Sequence, residues 1–153
     1  MELDVINLKV QIKERLTYDR RIELVYLFGS LAKDIATPLS DADIAILLSK
    51  EISASDYLKV QLGLVSAFEP FFPKIEVQLV VLNGAPIVLS YEVIQHGKCL
   101  FARSENLRIE YETGTMREFF DTEYMRYVQD YYQQKRIMEG RFGRKFKKHK
   151  RAA

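Results

Sequence analysis

The sequence predicts an α/β (α+β) fold, in which a small mixed sheet of about three to four strands is flanked by helices and followed by a helical C-terminal extension. Three short, mainly apolar runs, residues 24–28, 42–48 and 75–82, have the length and composition of buried strands, and the first of them is continuously apolar. The segments between these runs carry apolar residues at helical spacing. With 153 residues and 48% hydrophobic content, the chain is sized for one compact domain with a modest core.

The first strand is expected to follow one helix and to lead into a tight turn. Apolar residues at helical spacing predict an amphipathic helix over residues 4–19 that packs against the sheet. Gly29 ends the first strand, and Ser30 is expected to cap a short segment that Pro38 closes into a loop before the second strand. The apolar residues of the predicted helix are Val5, Leu8, Ile12 and Leu16.

A second helix is predicted between the second and third strands. Ser53 and Ser55 can start this helix, and Pro70 and Pro73 stop it. Its apolar positions, expected to face the core, are Leu58, Leu62, Val65 and Phe68.

The third strand is expected to lead into another helix and a short strand. An Asn-Gly turn at residues 83–84 follows the strand, and Pro86 suits the first turn of a helix that reaches His96. Gly97 is a C-terminal stop for that helix. Residues 99–102 then form a short strand-like segment.

The remaining sequence predicts helices whose combined length exceeds what is needed to cover so small a sheet. Residues 104–139 are polar and helical in character, with a break expected at 113–115 and an end at Gly140. An aromatic stripe within them is consistent either with core packing or with a docking face for partner helices. The excess length favours a partner or self-association. The stripe consists of Phe120, Tyr124, Tyr127 and Tyr131.

The composition excludes several classes of protein. The single cysteine, Cys99, cannot form an internal disulfide, and the two histidines, His96 and His149, lack the spacing of a zinc site. No apolar run approaches the roughly 20 residues that cross a bilayer, and the first residues do not resemble a secretory signal. We therefore expect a cytoplasmic protein without a membrane segment.

The charge of the chain is unevenly distributed. The net charge is +2, but residues 141–153 contain seven of the 23 basic residues and none of the 21 acidic ones. The rest of the chain is therefore mildly acidic, which argues against general nucleic-acid affinity of the folded part. We expect this basic tail to be mobile; the alternatives are contact with an acidic partner surface or with DNA backbone, and any nucleic-acid contact is confined to it.

Two strand ends carry the residues that suggest chemistry. Asp41 and Asp43 project the same way because side chains alternate along a strand, with backbones roughly 6 to 7 Å apart. Such a pair can hold Mg²⁺, which commonly joins one or two carboxylates to substrate phosphates. The turn at Gly29 and Ser30 brings backbone N–H groups and a hydroxyl within reach of phosphate oxygens. The pattern predicts a nucleoside triphosphate and magnesium site.

This pattern resembles the minimal nucleotidyltransferase (MNT) family of the DNA polymerase β-like superfamily. The family signature is Gly-Ser, then Ala two residues on, and Ser-Asp-x-Asp about ten residues after the Gly-Ser. Later stretches, at residues 77–83, 95–101 and 139–143, look like those of MNT antitoxins that pair with HEPN-domain toxins. The signature positions of this chain are Gly29, Ser30, Ala32, Ser40, Asp41 and Asp43.

The resemblance implies ATP and Mg²⁺ as ligands and transfer of AMP to a tyrosine of a partner RNase toxin. It implies a nucleotidyltransferase core over residues 1–103, a helical extension over 104–140 that packs on the core or a partner, and the tail at 141–153. The implied metal ligands are Asp41 and Asp43, and the complex is a hetero-oligomer or homo-oligomer. The implied nucleotide-binding residues are Gly29, Ser30, Lys33 and Ser40, and the implied catalytic residues are Asp41, Asp43, Glu76 and Gln78.

The chain departs from the family pattern at two positions. Asp34 replaces a second glycine and adds negative charge near the expected triphosphate, which Lys33 would offset. Gln78 stands where the family carries a third aspartate, and a neutral amide cannot act as a general base. Glu76 lies two residues earlier on the same strand face, so that it either reaches the metal or is an ordinary polar residue at the strand's beginning.

The residues thus leave two functions open, an AMP-transferring enzyme and an antitoxin that acts by binding alone. Gln78 favours the second of these. Transfer to small molecules fits less well, because the chain has no sizeable second domain to build a pocket for them.

Overall fold

The computed structural model describes residues 4–140, and these form six α-helices and four β-strands. Two short 3₁₀ turns flank the third helix, at Ala54–Asp56 and Glu69–Phe71. In chain order the elements are α1 (Val5–Leu16), β1 (Ile22–Phe28), α2 (Gly29–Ala32), β2 (Ala42–Leu48), α3 (Tyr57–Phe68), β3 (Val77–Val81), α4 (Ile87–His96), β4 (Lys98–Ala102), α5 (Glu105–Asp121) and α6 (Glu123–Met138).

The four strands form one mixed sheet in the order β3-β2-β1-β4. Strand β1 is antiparallel to both β2 and β4, whereas β2 and β3 run parallel. The predicted fold class is therefore confirmed. Within this sheet Asp43 of β2 is paired with Phe28 of β1 on one side and with Gln78 of β3 on the other.

The two faces of the sheet are covered by different helices. One face carries the larger core, to which α1 contributes Leu8 and α3 contributes Phe68. The opposite face carries a smaller cluster that includes Val93 of α4, with Leu107 of α5 packed against it. Asp43 lies between core residues of the first face, so strand alternation places its side chain on the second face.

Helix α1 has the buried face that its spacing predicts, since Leu8, Ile12 and Leu16 are at most 4% exposed. The prediction for the next long helix, α3, is partly wrong. Leu58 and Leu62 are 65% and 63% exposed, although Phe68 is fully buried and Val65 packs against the core as predicted. The stripe that faces the core is instead Tyr57, Val60, Leu64 and Phe68, which has equally good helical spacing.

The break predicted at residues 113–115 is also wrong, because α5 runs without interruption from Glu105 to Asp121. A glycine inside a helix costs only about 1 kcal/mol relative to alanine, and packing readily outweighs this. Here Thr115, next to Gly114, is 6% exposed and so is part of the buried surface of the helix. The chain leaves the helix at Thr122, which precedes α6.

A buried hydrogen bond joins α5 to the sheet. Tyr26 of β1 is 1% exposed and donates its hydroxyl to Glu112 Oε1 at 2.8 Å. Burial, and then this hydrogen bond, raise the pKa of Tyr26, so the phenol remains a donor. Arg108 Nη1 contacts the same carboxylate at 3.0 Å, which leaves Glu112 with a second partner.

Replacing Tyr26 by phenylalanine is expected to lower the free energy of unfolding by about 1.5–3 kcal/mol, the usual contribution of a hydrogen bond to a charged group. The ring stays in place and Glu112 keeps Arg108, so no larger loss is expected. Urea unfolding followed by circular dichroism measures the change. Tyr18→Phe is the matched control, because Tyr18 is 89% exposed. Equal stabilities of the two variants would contradict the assigned role of the hydroxyl.

The chain divides into two compact units, one that ends at Phe119 and one that begins at Phe120. Helix α6 belongs to the second unit. The aromatic stripe predicted for this region is 54–74% exposed at its four positions, so its interpretation as core packing is wrong for the described chain. The alternative, a docking face, stays a prediction. The exposed residues are Phe120, Tyr124, Tyr127 and Tyr131.

Two predictions concern the membrane and the tail. Over residues 4–140 the chain has no helix that is both long enough and apolar enough to span a bilayer. The basic segment 141–153 lies outside the described residues, so the expectation of a mobile tail, which alone could contact nucleic acid, stays a prediction.

Candidate nucleotide and metal site

The turn after β1 and the carboxylate of Asp43 interlock. Gly29 follows Phe28 directly and has a φ of +70°, a backbone conformation that is unfavourable for residues with a side chain. A Cβ at Gly29 would overlap Asp43 Oδ2 and would lie 3.0 Å from Asp43 Cγ. The backbone of the turn therefore approaches the carboxylate as closely as only glycine permits.

The structure brings Asp41, Asp43 and Gln78 together, as the sequence predicts. Asp41 immediately precedes β2, and its Oδ2 accepts a hydrogen bond of 2.7 Å from Gln78 Nε2. Gln78 is the residue paired with Asp43 in the parallel register, so the side chains of these two residues share a face. One amide thus adjoins two carboxylates.

The charge of this pair favours a cation. Burial, and then the negative charge of Asp41, raise the pKa of Asp43. A bound cation would reverse this effect, because it stabilises the ionised form. Residues 4–140 contain no group of three or more His, Cys, Asp or Glu side chains placed to hold a metal. Two carboxylates nevertheless fit Mg²⁺ that completes its shell with substrate phosphates and water.

Glu76, proposed to complete the site, is exposed and precedes β3 by one residue. Its carbonyl oxygen accepts a hydrogen bond of 2.8 Å from the backbone N–H of Ala42, which joins the two strands next to the carboxylate pair. Continued alternation places its side chain on the face of Gln78. A role of its carboxylate in the site remains a prediction.

Ser40 closes the loop in front of the carboxylates. Its Oγ accepts a hydrogen bond of 2.9 Å from the N–H of Thr37, and its own N–H donates to the carbonyl of Thr37 at 3.0 Å. These bonds fix the loop just before Asp41. Nucleotide binding by Ser40 remains a prediction, and the described contacts give it a structural role.

Ser30 lies inside the short helix α2, where it was expected to be the cap. The helix begins at Gly29, because the positive φ of that residue turns the chain at once, and Phe28 occupies the cap position. Ser30 is half-buried, and its carbonyl accepts from the N–H of Ile35 at 3.2 Å. Its place one residue beyond the turn is compatible with the predicted contact to phosphate.

Lys33 has a partner that the sequence analysis missed. Its Nζ contacts Glu92 Oε1 at 2.6 Å, and His96 Nδ1 contacts the other oxygen of Glu92 at 3.1 Å. The hydrogen bond from Lys33 is the main cause that lowers the pKa of Glu92. Phosphate binding by Lys33 would compete with this ion pair. No sequence signal links them, since they are 59 residues apart.

Asp34 has a positive φ, a backbone conformation that glycine adopts readily. Its φ is +58°, which aspartate tolerates better than most residues. Its carboxylate contacts Lys98 Nζ at 3.0 and 3.1 Å. The expectation that Lys33 offsets this charge is therefore wrong, because Lys98 of β4 does so and Lys33 pairs with Glu92 instead.

Comparison with known proteins agrees with the fold. Residues 10–106 match the family described as Polymerase beta, Nucleotidyltransferase, so the chain belongs to that family. Comparison with curated protein sequences gave no match.

Solved structures extend the likeness to toxin-antitoxin complexes. A toxin-antitoxin crystallised with AMP-PNP has a TM-score of 0.58 and 26% identity, over 81% of this chain and 98% of that chain. A tri-AMPylated Shewanella oneidensis HEPN toxin in complex with MNT antitoxin gives 0.53 and 23%, over 84% and 98%. The toxin-antitoxin MntA-HepT gives 0.53 and 24%, over 83% and 98%. The last two likenesses concern the fold.

Proposed function

We propose that this protein is an MNT-type antitoxin, which neutralises a HEPN-domain RNase toxin by Mg²⁺- and ATP-dependent transfer of AMP to a tyrosine of the toxin. The observation that carries the proposal is the close approach of the Gly29 turn to the Asp43 carboxylate. This approach places a backbone turn that can accommodate a phosphate group next to the two carboxylates, Asp41 and Asp43, that we propose bind the metal. Membership of the nucleotidyltransferase family and the likeness to a toxin-antitoxin crystallised with AMP-PNP support it. A cytoplasmic location is part of the proposal.

In this mechanism the chain positions the triphosphate and the toxin supplies the nucleophile. Backbone N–H groups at Gly29 and Ser30 bind phosphate oxygens, and Asp41 and Asp43 provide the oxygen ligands for Mg²⁺. When bound, Mg²⁺ neutralises charge that develops on the phosphates. The tyrosine oxygen forms a bond to the α-phosphorus, the bond from that phosphorus to the bridging oxygen breaks, and pyrophosphate leaves.

The hydroxyl proton of the toxin tyrosine needs an acceptor. Gln78 cannot take it, because an amide at neutral pH is not a base. Glu76, on the same strand face, is the candidate carboxylate of this chain, and water is the other possible acceptor.

A second candidate function is neutralisation by binding alone. The observation that favours it is the amide of Gln78 beside Asp41, where the family carries a third aspartate. A site without that carboxylate can hold a nucleotide but would transfer AMP only slowly or not at all. Binding would then suffice if the antitoxin covers the toxin's RNA-binding surface.

The surface that we assign to the toxin is the aromatic face of α6. All residues of α6 from Gln129 onward are exposed, and a 16-residue helix that is polar overall is only marginally stable in water without a partner. Tyrosine is enriched in the centres of protein interfaces because it combines a large apolar ring with one hydrogen-bonding group. The side chains of this face are Tyr124, Tyr127, Tyr131 and Tyr132, which are 55–74% exposed.

Replacing Tyr127 and Tyr131 together by alanine is expected to weaken toxin binding at least 10-fold, since loss of two interface tyrosines costs about 2 kcal/mol or more. Thermal stability of the isolated antitoxin should remain within about 1 °C, because exposed positions contribute little. Isothermal titration of the purified toxin measures the affinity. Tyr18→Ala is the control for loss of an exposed tyrosine elsewhere, and equal affinity of both variants would contradict the assignment.

The test of the proposed function combines toxin, ATP and Mg²⁺ with the antitoxin. Intact mass spectrometry of the toxin then measures the addition of AMP-sized mass, and an RNA-cleavage assay measures neutralisation. Mass addition together with loss of cleavage supports transfer. Neutralisation without mass addition establishes the binding function instead, and unimpaired cleavage overturns both.

A further inference from the structure

The position of the Gln78 amide sets how many cations this site can hold. Gln78 is paired with Asp43 across the parallel strands and donates to Asp41 Oδ2 at 2.7 Å. A carboxylate oxygen can only accept a hydrogen bond, so the amide presents its nitrogen to Asp41 and one neutral oxygen to the rest of the site. The side chain next to the carboxylates of Asp41 and Asp43 is therefore a neutral amide.

We propose that Gln78 limits the site to one divalent cation and holds Asp41 in the orientation that binds it. The inference deepens the proposed function and rests on its nucleotide site. A second cation would need a further anionic ligand, because the number of charged ligands largely sets the affinity of a site for hard cations. The amide supplies none, and it occupies Oδ2 of Asp41 as well.

The positioning of Asp41 follows from its place in the chain. It lies in the loop before β2 and has no ladder position of its own. The bond from Gln78 ties its carboxylate to the central strands, whereas Oδ1 remains for a cation. Hydrogen bonds to metal ligands commonly change metal affinity 10- to 100-fold, because they orient the ligand before the metal arrives.

The number of cations has a consequence for the reaction. Two ions about 4 Å apart stabilise both the attacking and the leaving oxygen of a phosphoryl transfer. A site with one cation secures the nucleotide but provides only part of this stabilisation. Gln78 therefore makes this chain a better nucleotide binder than transferase, and a carboxylate at the same position is expected to raise the rate of AMP transfer.

The experiment counts cations directly. Mn²⁺ has the same preference for oxygen ligands and is detected by electron paramagnetic resonance, so it is titrated into the purified antitoxin with saturating AMP-PNP. The wild-type protein is expected to bind one Mn²⁺ per chain and Gln78→Glu, which has the same shape, two. Gln78→Leu is expected to bind one ion about 10-fold more weakly. Gln78 is exposed, so all variants should fold, which a thermal melt verifies.

Gln11→Glu is the control for the added charge. Gln11 is exposed on α1, which packs on the opposite face of the sheet, and this variant should keep one Mn²⁺. Two ions in the wild type, or one in Gln78→Glu, would overturn the limit on cation number. Unchanged affinity in Gln78→Leu would overturn the positioning of Asp41.

These results separate the inference from the proposed function. One Mn²⁺ in the wild type and two in Gln78→Glu support the inference even if the toxin never gains AMP, in which case only the transfer function fails. If the wild-type protein transfers AMP and binds two ions, the proposed function stands and the inference is overturned. Absence of nucleotide-dependent Mn²⁺ binding in both proteins overturns the two together.

Discussion

Asp43→Asn is expected to lower AMP transfer to the toxin at least 100-fold while the fold remains intact. The side chain is half-buried next to Gly29, and asparagine has the same shape, so packing around the turn is preserved. The change removes one of two negative ligands for Mg²⁺, whose stabilisation of phosphoryl transfer is worth several kcal/mol. Since about 1.36 kcal/mol corresponds to 10-fold in rate, a loss of about 3 kcal/mol gives the expected effect. Initial rates of AMP incorporation, followed by mass spectrometry, measure it.

The stability of this variant is expected to move in the opposite direction. Burial and the neighbouring Asp41 both raise the pKa of Asp43, which shows that its ionised form is disfavoured without a cation. A group with a raised carboxyl pKa destabilises the folded state at neutral pH, and the penalty disappears as the pH falls below the unfolded value. Asp43→Asn should therefore be at least as stable as the wild type at pH 7 in the absence of metal.

Asp34→Asn is the matched control for these measurements. It makes the same chemical change on the loop after α2, and asparagine tolerates the positive φ of this position. The Asp34 side chain is 79% exposed and its pair with Lys98 contributes little, so rate and stability should be nearly unchanged. Wild-type transfer by Asp43→Asn would contradict the role of this carboxylate.

The strand ends were predictable from sequence because the apolar runs that precede and follow them are short and unambiguous. The runs at β1 and β2 fix where the chain leaves the sheet, so Gly29 and Asp43 had to lie at neighbouring strand ends once the two strands paired. Strand alternation then puts Asp43 and Gln78 on one face. Local patterning thus determines the centre of the candidate site.

The partners of the surrounding charges were not predictable in the same way. Lys98 contacts Asp34 across 64 residues, and Lys33 contacts Glu92 across 59. Both contacts depend on how α4 and β4 pack beside α2, which no local pattern encodes. The nearest lysine in sequence, Lys33, was therefore assigned to the wrong carboxylate.

The predictions for α3 and α5 were wrong for a related reason. Helix α3 carries apolar residues on two stripes, and periodicity alone cannot decide which one meets the sheet. Leu62 and Leu64 are both leucines of one helix, but the first is 63% exposed and the second 2%. In α5, the predicted break at Gly114 relied on the low helix propensity of glycine. That propensity costs about 1 kcal/mol, which is less than the free energy gained when this part of the helix packs and buries Thr115.

Gly29→Ala is expected both to destabilise the protein and to abolish AMP transfer. Its φ of +70° costs an alanine about 1–2 kcal/mol. The new methyl group would also overlap Asp43 Oδ2, so the carboxylate has to rotate away from the turn. For a chain of this size a loss of about 1–2 kcal/mol lowers the melting temperature by roughly 2–8 °C. Calorimetry and the AMP-incorporation assay measure the two effects.

Gly63→Ala separates this effect from a general sensitivity to glycine replacement. Gly63 lies within α3 and nothing is within 4 Å of the position of its added Cβ, so alanine should stabilise the helix by about 0.5–1 kcal/mol and leave transfer unchanged. Adding Asp43→Ala to Gly29→Ala should remove the overlap and leave only the backbone cost. If Gly29→Ala instead retained wild-type transfer, the close approach of the turn to the carboxylate would not be needed for the reaction.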